Sequence, residues 1–161
     1  MTAAVLTVSD SCARGGRKDA SGPAVAQALR AASFQVVASK LVPDDREQIE
    51  AALRELCAQA RLVVTTGGTG IAPRDVTPEA TRAVCQRLVE GLAEHMRREG
   101  AKRTPNAILS RAVCGLSGQT LVINLPGSPS AALESLEAVI GVIPHALELL
   151  AGQTEHARRG A

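Results

Sequence analysis

The sequence predicts a three-layer α/β fold, in which a mostly parallel sheet carries helices on both faces. Short apolar runs alternate with amphipathic helical segments along the chain, which is the order typical of a parallel sheet. The core is expected to be aliphatic, because the 161 residues include one Phe and neither Trp nor Tyr. No repeat or linker interrupts this order, so we expect one domain over residues 1–152 and a disordered tail over residues 153–161.

Five apolar segments are predicted to form the strands of the sheet. Each is rich in β-branched or other aliphatic residues, which is typical of strands that are buried on both faces. They are residues 3–8 (AAVLTV), 34–42, 62–66 (LVVTT), 112–115 and 120–125 (TLVINL). A turn at Gly118 joins the last two segments, and helical segments separate the others.

The first two helices are predicted between the first three strands. One opens at Pro23, with Ser21 as the N-cap whose side chain accepts from an unpaired backbone N–H. The next begins at Asp45 and has apolar residues at spacings of four and three along residues 49–56. Asp44 is the expected cap of this second helix, with Glu47 closing a capping box.

The last two helices are expected in the second half of the chain. The third begins at Thr77, its N-cap, and ends near Gly100, with Gly91 as the place for a break. Its inner face would carry Val84, Leu88 and Leu92. The fourth begins with Ser128 as N-cap, and Pro144 is expected to kink it or split it. Its inward-facing residues would be Leu133, Leu136, Ile140, Ile143 and Leu147.

Composition argues against several classes of function. Lys and Arg total 18 against 16 Asp and Glu, which is far from the basic excess of a nucleic-acid-coating protein. Aromatic platforms for stacked bases are excluded, since the residues are absent. No apolar run approaches the ~20 residues that a membrane span requires. The cysteines lack metal-ligand spacing, so we expect small buried thiols in a soluble, cytoplasmic protein; they are Cys12, Cys57, Cys85 and Cys114.

Four polar segments follow predicted strand ends, the edge at which open parallel sheets bind ligands. They are residues 9–11 (SDS), 43–45 (PDD), 66–75 (TGGTGIAPRD) and 126–129 (PGSP). Three glycines within residues 67–70 either form a nest of backbone N–H groups for phosphate oxygens or make a tight turn with positive φ. The spacing matches neither a P-loop nor a dinucleotide-binding fingerprint.

Two carboxylates at neighbouring strand ends are the candidate acids. Asp44 and Asp75 could hold Mg²⁺ against substrate phosphates, which is the usual way this ion is bound. For Asp44 alone, helix capping is the favoured alternative. Asp75 has no such alternative, because Thr77 already begins the next helix.

A charged loop precedes the first predicted helix, which opens at Pro23. Arg14, Arg17 and Lys18 could close over a polyphosphate, or they could form an ordinary solvated loop. No Ser, Cys or His nucleophile is indicated, since the histidines show no ligand or triad spacing; they are His95, His145 and His156.

These motifs together resemble the molybdenum-cofactor biosynthesis proteins of the MogA/MoaB type and the similar G domains of gephyrin and its plant counterpart. The matching stretches cover residues 3–150 in order and include a long, specific one. They are residues 5–10 (VLTVSD), 19–23 (DASGP), 42–44 (VPD), 65–81 (TTGGTGIAPRDVTPEAT), 109–111 (LSR) and 123–129 (INLPGSP).

The resemblance implies a molybdopterin-binding-like fold and an enzyme, a nucleotidyltransferase. Its reaction would be the Mg²⁺-dependent adenylylation of molybdopterin by ATP, with release of pyrophosphate. The substrate brings its own phosphate nucleophile, which accounts for the absence of a nucleophilic side chain. The resemblance further implies a homotrimer and a downstream metal-inserting protein as partner.

The resemblance also implies roles for individual residues. Those for metal binding and catalysis are Asp44 and Asp75. Those for the nucleotide and its phosphates are Asp10, Ser21, Gly67, Gly68, Thr69 and Gly70. Those for the pterin are Ser110, Arg111, Pro126 and Gly127. The middle of the charged loop has no counterpart in the family, so no role follows there for residues 14–18.

Two other functions compete with this one. The first is a binding protein of the same fold that holds pterin or nucleotide without turnover. The second is an enzyme for another nucleotide substrate, as in the related domain of competence-damage-type proteins. The PRDVTPEA stretch at residues 73–80 argues against the second, since those domains resemble this chain mainly around the glycines.

Overall fold

A computed structural model describes residues 1–153, so residues 154–161 of the predicted tail lie outside the described residues. Six strands form one sheet in that part of the chain. They are β1 (Thr2–Val8), β2 (Gln35–Val42), β3 (Leu62–Thr66), β4 (Arg87–Leu88), β5 (Cys114–Ser117) and β6 (Thr120–Leu125). The order across the sheet is β2-β1-β3-β6-β5-β4. The first four strands in that order are parallel, and β5 and β4 add an antiparallel edge.

Helices cover both faces of this sheet, which confirms the three-layer prediction. They are α1 (Asp10–Ala13), α2 (Ser21–Ala31), α3 (Arg46–Cys57), α4 (Thr77–Val84), α5 (Glu90–Ala101), α6 (Pro129–Ile140) and α7 (Ile143–Leu150), with a 3-10 helix over Pro105–Leu109. Helices α2, α5, α6 and α7 share one core, and α3 and α4 share the other. None of the described helices is long and apolar enough to cross a membrane.

The parallel strands divide their side chains between the two cores. In β1, Val5 packs in the core of α2 and α6, whereas Leu6 packs in the core of α3. This follows from the alternation of side chains along a strand. Burial on both faces therefore explains why these strands are continuous apolar runs in the sequence. The one aromatic residue, Phe34, is buried beside α2.

The third predicted helix is interrupted, and the prediction is wrong for the residues between Val84 and Glu90. Helix α4 ends at Val84, and the chain forms β4 before α5 begins at Glu90. The cause is long-range pairing, because the N–H groups of Gln86 and Val89 donate to carbonyls of β5 at 2.9 and 2.8 Å. Leu88 consequently lies on an exposed edge strand and not on a helix face.

The last predicted helix is two helices. Helix α6 ends at Ile140, and Pro144 lies in the first turn of α7, where a missing N–H costs no helical hydrogen bond. Ser128 caps α6 as predicted, since its hydroxyl accepts from the N–H of Ala131 at 3.3 Å. Leu133 is 37% exposed, so its predicted inward position is wrong.

Candidate functional site

Two cavities open at the edge of the sheet where β1, β3 and β6 end. The polar cavity has a volume of about 520 Å³, and its charged lining includes Arg17, Lys18, Asp19 and Asp44. The apolar cavity has a volume of about 490 Å³ and lies between the glycine turn, α5, the 3-10 helix and α6. Its walls include the aliphatic side chains of Ile71, Ala93, Met96, Ala107 and Leu109.

Three residues line both cavities and form what we call the ridge between them. They are Gly68, Asp75 and Gly127. A ligand that spans the two cavities must cross the ridge, because both linings end there. The structure therefore brings one predicted acid and two predicted glycine contacts to a single point.

The glycine turn over residues 67–70 needs its glycines for steric reasons. Gly67 and Gly68 have φ values of 103° and 64°, in the region that favours glycine. A Cβ on Gly67 would collide with the carbonyl oxygen of Val8. A Cβ on Gly68 would collide with the Thr77 hydroxyl and lie 3.0 Å from an Asp44 carboxylate oxygen. The predicted tight turn is confirmed.

The hydrogen bonds of this turn are asymmetric. All four carbonyl groups accept from the protein, from the Thr77 hydroxyl, the Thr77 N–H, the Arg111 N–H and the Arg111 side chain in chain order. Within residues 1–153, the N–H groups of Gly68, Thr69 and Gly70 donate to no protein acceptor. Three adjacent unpaired donors are suited to the oxygens of an anion. The N–H of Gly67 is different, since it donates to Leu125 at 3.1 Å. The phosphate contact expected of Gly67 stays a prediction, and its N–H is already engaged by the Leu125 carbonyl.

Thr77 supports this turn and is not the cap of α4. The N-cap of α4 is Val76, and the buried Thr77 hydroxyl donates to the carbonyl of Gly67 at 2.9 Å. The predicted cap is wrong because the hydroxyl is taken by a carbonyl ten residues earlier in the chain. Thr77 thereby ties the start of α4 to the turn.

Arg111 holds the turn on its other side. Its Nε donates to the Gly70 carbonyl at 2.7 Å, one Nη donates to the Asp75 carbonyl at 2.5 Å, and the guanidinium forms an ion pair with Glu79. Arg111 was expected to contact the pterin, but these bonds direct its guanidinium to the turn. Although partial burial opposes it, the hydrogen bond from Arg111 lowers the pKa of Glu79.

Asp44 is available to a ligand, because another residue caps α3. The cap is Asp45, whose carboxylate accepts from the N–H of Gln48 at 3.0 Å, so the expected capping role of Asp44 is wrong. The Asp44 carboxylate lines the polar cavity and accepts from the N–H of Asp10 at 2.8 Å. Burial raises the pKa of Asp44, and the nearby charges of Asp10 and Asp75 raise it further.

Asp10 positions Asp44. Its carboxylate accepts from the Asp44 N–H at 3.1 Å, which completes a reciprocal pair, and from Arg74 at 2.7 to 3.0 Å. Desolvation opposes the effect, but the Arg74 and Asp44 hydrogen bonds lower the pKa of Asp10. The nucleotide contact expected of Asp10 stays a prediction, and its carboxylate is engaged by these two residues.

The loop before α2 forms the outer wall of the polar cavity. Ser21 lines this cavity but does not cap α2, whose N-cap is Ala20. At the start of α2, the Asp19 carboxylate accepts from the Gly22 N–H at 3.0 Å and from the Thr7 hydroxyl at 2.7 Å. Arg17 and Lys18 line the cavity, whereas Arg14 lies 3.9 Å from Asp10.

Most of the remaining residues with a predicted ligand contact line the apolar cavity, and their contacts stay predictions. Ser110 and Pro126 line the apolar cavity, together with Thr69 and Gly70, and Gly127 lies on the ridge. Sequence reasoning missed Arg97 and Glu134, which line the apolar cavity from α5 and α6. Charged residues on amphipathic helices are typical of a solvated face, so no signal in the sequence distinguishes them.

Cys85 and Cys114 are unsuited to nucleophilic catalysis. Burial raises the pKa of Cys85 and of Cys114 to about 12 in each case, so both thiols are neutral at physiological pH. In the described part of the chain, no group of three His, Cys, Asp or Glu side chains is placed to hold a metal ion. Asp44 and Asp75 could therefore supply two carboxylate ligands to a metal ion, and the remaining ligands would have to come from substrate or water.

Comparison with known proteins identifies the family of this chain. A family model described as a probable molybdopterin binding domain matches residues 4–145. The chain belongs to this family. It is 43% identical over 152 residues to a molybdopterin adenylyltransferase of Helicobacter pylori, covering 92% of this chain and 86% of that protein.

Other members of the family are similar over the whole fold. The crystal structure of the molybdopterin biosynthesis enzyme MoaB from Thermus thermophilus superposes with a TM-score of 0.88 at 50% identity, covering 94% of this chain and 96% of that one. The molybdenum cofactor synthesis protein cinnamon of Drosophila melanogaster is 40% identical over 99% of this chain. The chain spans 27% of the length of cinnamon.

Proposed function

We propose that this chain is a molybdopterin adenylyltransferase, which transfers AMP from ATP to the terminal phosphate of molybdopterin and releases pyrophosphate. The observation that carries the proposal is the ridge, where a polar and an apolar cavity of similar volume meet beside Asp75. A triphosphate suits the lining of Arg17 and Lys18 in the polar cavity. A flat heterocycle suits the aliphatic walls of the apolar cavity.

The reaction itself needs no protein nucleophile. An oxygen of the molybdopterin phosphate attacks the α-phosphorus of ATP, and a new P–O bond forms. The bond from the α-phosphorus to the bridging oxygen breaks, and pyrophosphate leaves with that electron pair. The protein has to align the two phosphates and stabilise the charge between them. The N–H groups of Gly68, Thr69 and Gly70, which have no acceptor among residues 1–153, lie at or beside the ridge and would stabilise this charge.

Mg²⁺ is the metal ion that these residues fit. Asp44 and Asp75 both line the polar cavity, and the charge of Asp75 raises the pKa of Asp44, so a cation between them would relieve repulsion. Two carboxylates plus substrate phosphates form the usual donor set for this ion. When bound, Mg²⁺ would neutralise charge on the phosphate oxygens.

The test is pyrophosphate release from ATP that depends on added molybdopterin. We expect Asp75→Asn and Asp44→Asn each to lower kcat by about 10²-fold or more, as for the loss of one electrostatic group at a reacting centre. Asp45→Asn is the matched control, because Asn caps a helix about as well as Asp and Asp45 caps α3. Activity retained in Asp75→Asn would remove that residue from the chemistry.

The same assay separates the competing function. A protein that binds ATP and molybdopterin but releases no pyrophosphate would be the non-catalytic binding protein of this fold. Added Mg²⁺ should be required for turnover, and a chelator should abolish it reversibly. Turnover unaffected by the chelator would contradict the metal-binding role of the two carboxylates.

Assembly and partners follow from the family resemblance. We propose a homotrimer that passes its product to a downstream metal-inserting protein. Exposed aliphatic side chains at Ile71 and Ile108, both 67% exposed, would favour association. Light scattering that shows a stable monomer would contradict the trimer. The cytoplasmic location stays a prediction.

A further inference from the structure

The apolar cavity contains three charged side chains among the described residues, and they differ in what they already bind. They are Asp75, Arg97 and Glu134. Asp75 belongs to the ridge, where the phosphates are proposed to bind. Arg97 is engaged by the protein, since its guanidinium donates to the carbonyls of Ala112 at 3.0 Å and Ser110 at 3.4 Å.

Glu134 is the remaining charge, and it lies at a different border of the cavity. Glu134 and Gly100 also line a charged surface groove, whereas the ridge borders the polar cavity. The Glu134 carboxylate forms an ion pair with Arg103, with 3.3 Å between Nη1 and Oε1. A carboxylate offers about four lone-pair sites, so this contact leaves acceptors for a ligand.

The donor and acceptor chemistry of this border selects its ligand. An acid at the border of a mainly apolar cavity suits a flat ring with two adjacent N–H donors in its plane, because a carboxylate accepts such a pair bidentately. The 2-amino group and ring N3–H of a pterin form such a pair. Met96 and Leu109 supply apolar contact for the ring.

We propose that Glu134 is the specificity-determining residue of the apolar cavity, where its carboxylate accepts from the 2-amino and N3–H groups of the pterin ring. The proposal rests on the proposed function, which places a pterin in this cavity. It also orients the substrate: the pyrimidine edge contacts α6, and the phosphate-bearing end is directed to the ridge.

The experiment measures the affinities of two probes, 6-hydroxymethylpterin and 6-hydroxymethyllumazine, for the protein, and binding is followed by the fluorescence of each probe. The protein has no Trp or Tyr to obscure it. The lumazine has a carbonyl in place of the 2-amino group, so it presents an acceptor to the carboxylate. We expect the full chain to prefer the pterin by roughly 10- to 100-fold, and Glu134→Gln to bring the two affinities within about threefold.

Two further variants separate ligand recognition from a structural role. Glu137→Gln changes a carboxylate on the same helix that is 77% exposed, lies 3.9 Å from Arg103 and lines the surface groove. Arg103→Gln removes the ion pair and leaves Glu134 in place. Both should keep the preference for the pterin, and circular dichroism should show that all three variants fold.

The outcomes are decisive in both directions. A wild-type chain that binds the two probes equally, or a Glu134→Gln variant that keeps the preference, would overturn the inference. Loss of the preference in Arg103→Gln as well would assign the effect to the ion pair and would also overturn it. Molybdopterin-dependent turnover in the wild type with an unchanged preference in Glu134→Gln would leave the proposed function standing without the inference. A preference that is lost in Glu134→Gln, in a wild-type chain that shows no molybdopterin-dependent turnover, would support the inference and contradict the proposed enzymatic function.

Discussion

The two cavities that meet at the ridge are built in different ways. The polar cavity takes its acids from loops between strands and helices, and Asp44 follows the end of β2 directly. Apart from Asp75 on the ridge, the apolar cavity takes its charged residues from the faces of α5 and α6, at Arg97 and Glu134. Residues at a strand end are placed by the sheet itself. Residues on a helix face are placed only when that helix packs, so their role is invisible before packing.

The cavities also differ in what holds their walls. Around the polar cavity, Asp10 binds both Arg74 and the backbone of Asp44, so charge pairs between loops set the position of the acid. Around the apolar cavity, buried residues such as Ala93 and Met96 pack in the core of α6. Electrostatic changes should therefore disturb the first cavity more than the second.

The largest effect is expected from Gly68→Ala, which changes the ridge and so breaks both cavities at once. The new Cβ would collide with Thr77 and crowd Asp44, and the residue would keep a positive φ. We expect turnover to fall by about 10³-fold and the free energy of unfolding to fall by about 1 to 3 kcal/mol. Turnover and urea denaturation measure the two effects.

The matched control for this substitution is Gly118→Ala. Gly118 has a φ of 57°, similar to Gly68, but a Cβ there would meet nothing within 4 Å. It should cost about 1 to 2 kcal/mol for the left-handed conformation and leave turnover unchanged. Equal activity of the two variants would show that the ridge tolerates crowding and would contradict its proposed role.

An intermediate effect is expected from Arg74→Gln, which should disturb the polar cavity alone. Arg74 donates two hydrogen bonds to Asp10 from Nη2 and one from Nε, and Asp10 in turn positions Asp44. We expect kcat to fall about tenfold, the equivalent of one charge-assisted hydrogen bond. The affinity for 6-hydroxymethylpterin should not change, because Arg74 acts through Asp10 and Asp44, and neither of these residues lines the apolar cavity.

Arg14→Gln is the control for Arg74→Gln. Arg14 also pairs with Asp10, but at 3.9 Å and with its side chain 76% exposed. Exposed pairs of this kind contribute about 0 to 1 kcal/mol, so we expect at most about a fivefold change in kcat. If both variants lose activity equally, general charge and not the Asp10 contact would explain the effect.

The smallest effect is expected from Glu79→Gln, and it depends on pH. Arg111 lowers the pKa of Glu79 below its ordinary value of 4.5, so the unfolded chain binds this proton first as the pH falls. The contribution to stability is therefore present above that ordinary pKa and is lost as the pH falls through the lowered one. Urea midpoints should show wild type above Glu79→Gln at pH 7, with the gap closing as the pH falls below 4.5 and through the lowered pKa. A gap that persists to acid pH would contradict the ion pair.

Much of the fold and part of the site could be predicted from the sequence. The parallel strands are continuous apolar runs because both of their faces are buried. The glycines of residues 67–70 predict a tight turn, because other residues would be strained or would collide there. Asp75, a candidate acid, follows this turn in the sequence. These features depend on backbone sterics and local polarity, so the identities of a few adjacent residues are enough to predict them.

Only the tertiary structure decided the partners of the polar side chains. Asp44, Asp45 and Thr77 are each chemically able to cap a helix, and contacts distant in the chain determine that Asp45 alone does so. Strand β4 likewise exists because β5 is beside it. The sequence by itself determined where the backbone turns and which segments are buried, because those are local properties. The long-range hydrogen bonds that assign a role to each carboxylate and guanidinium form only when the chain is folded.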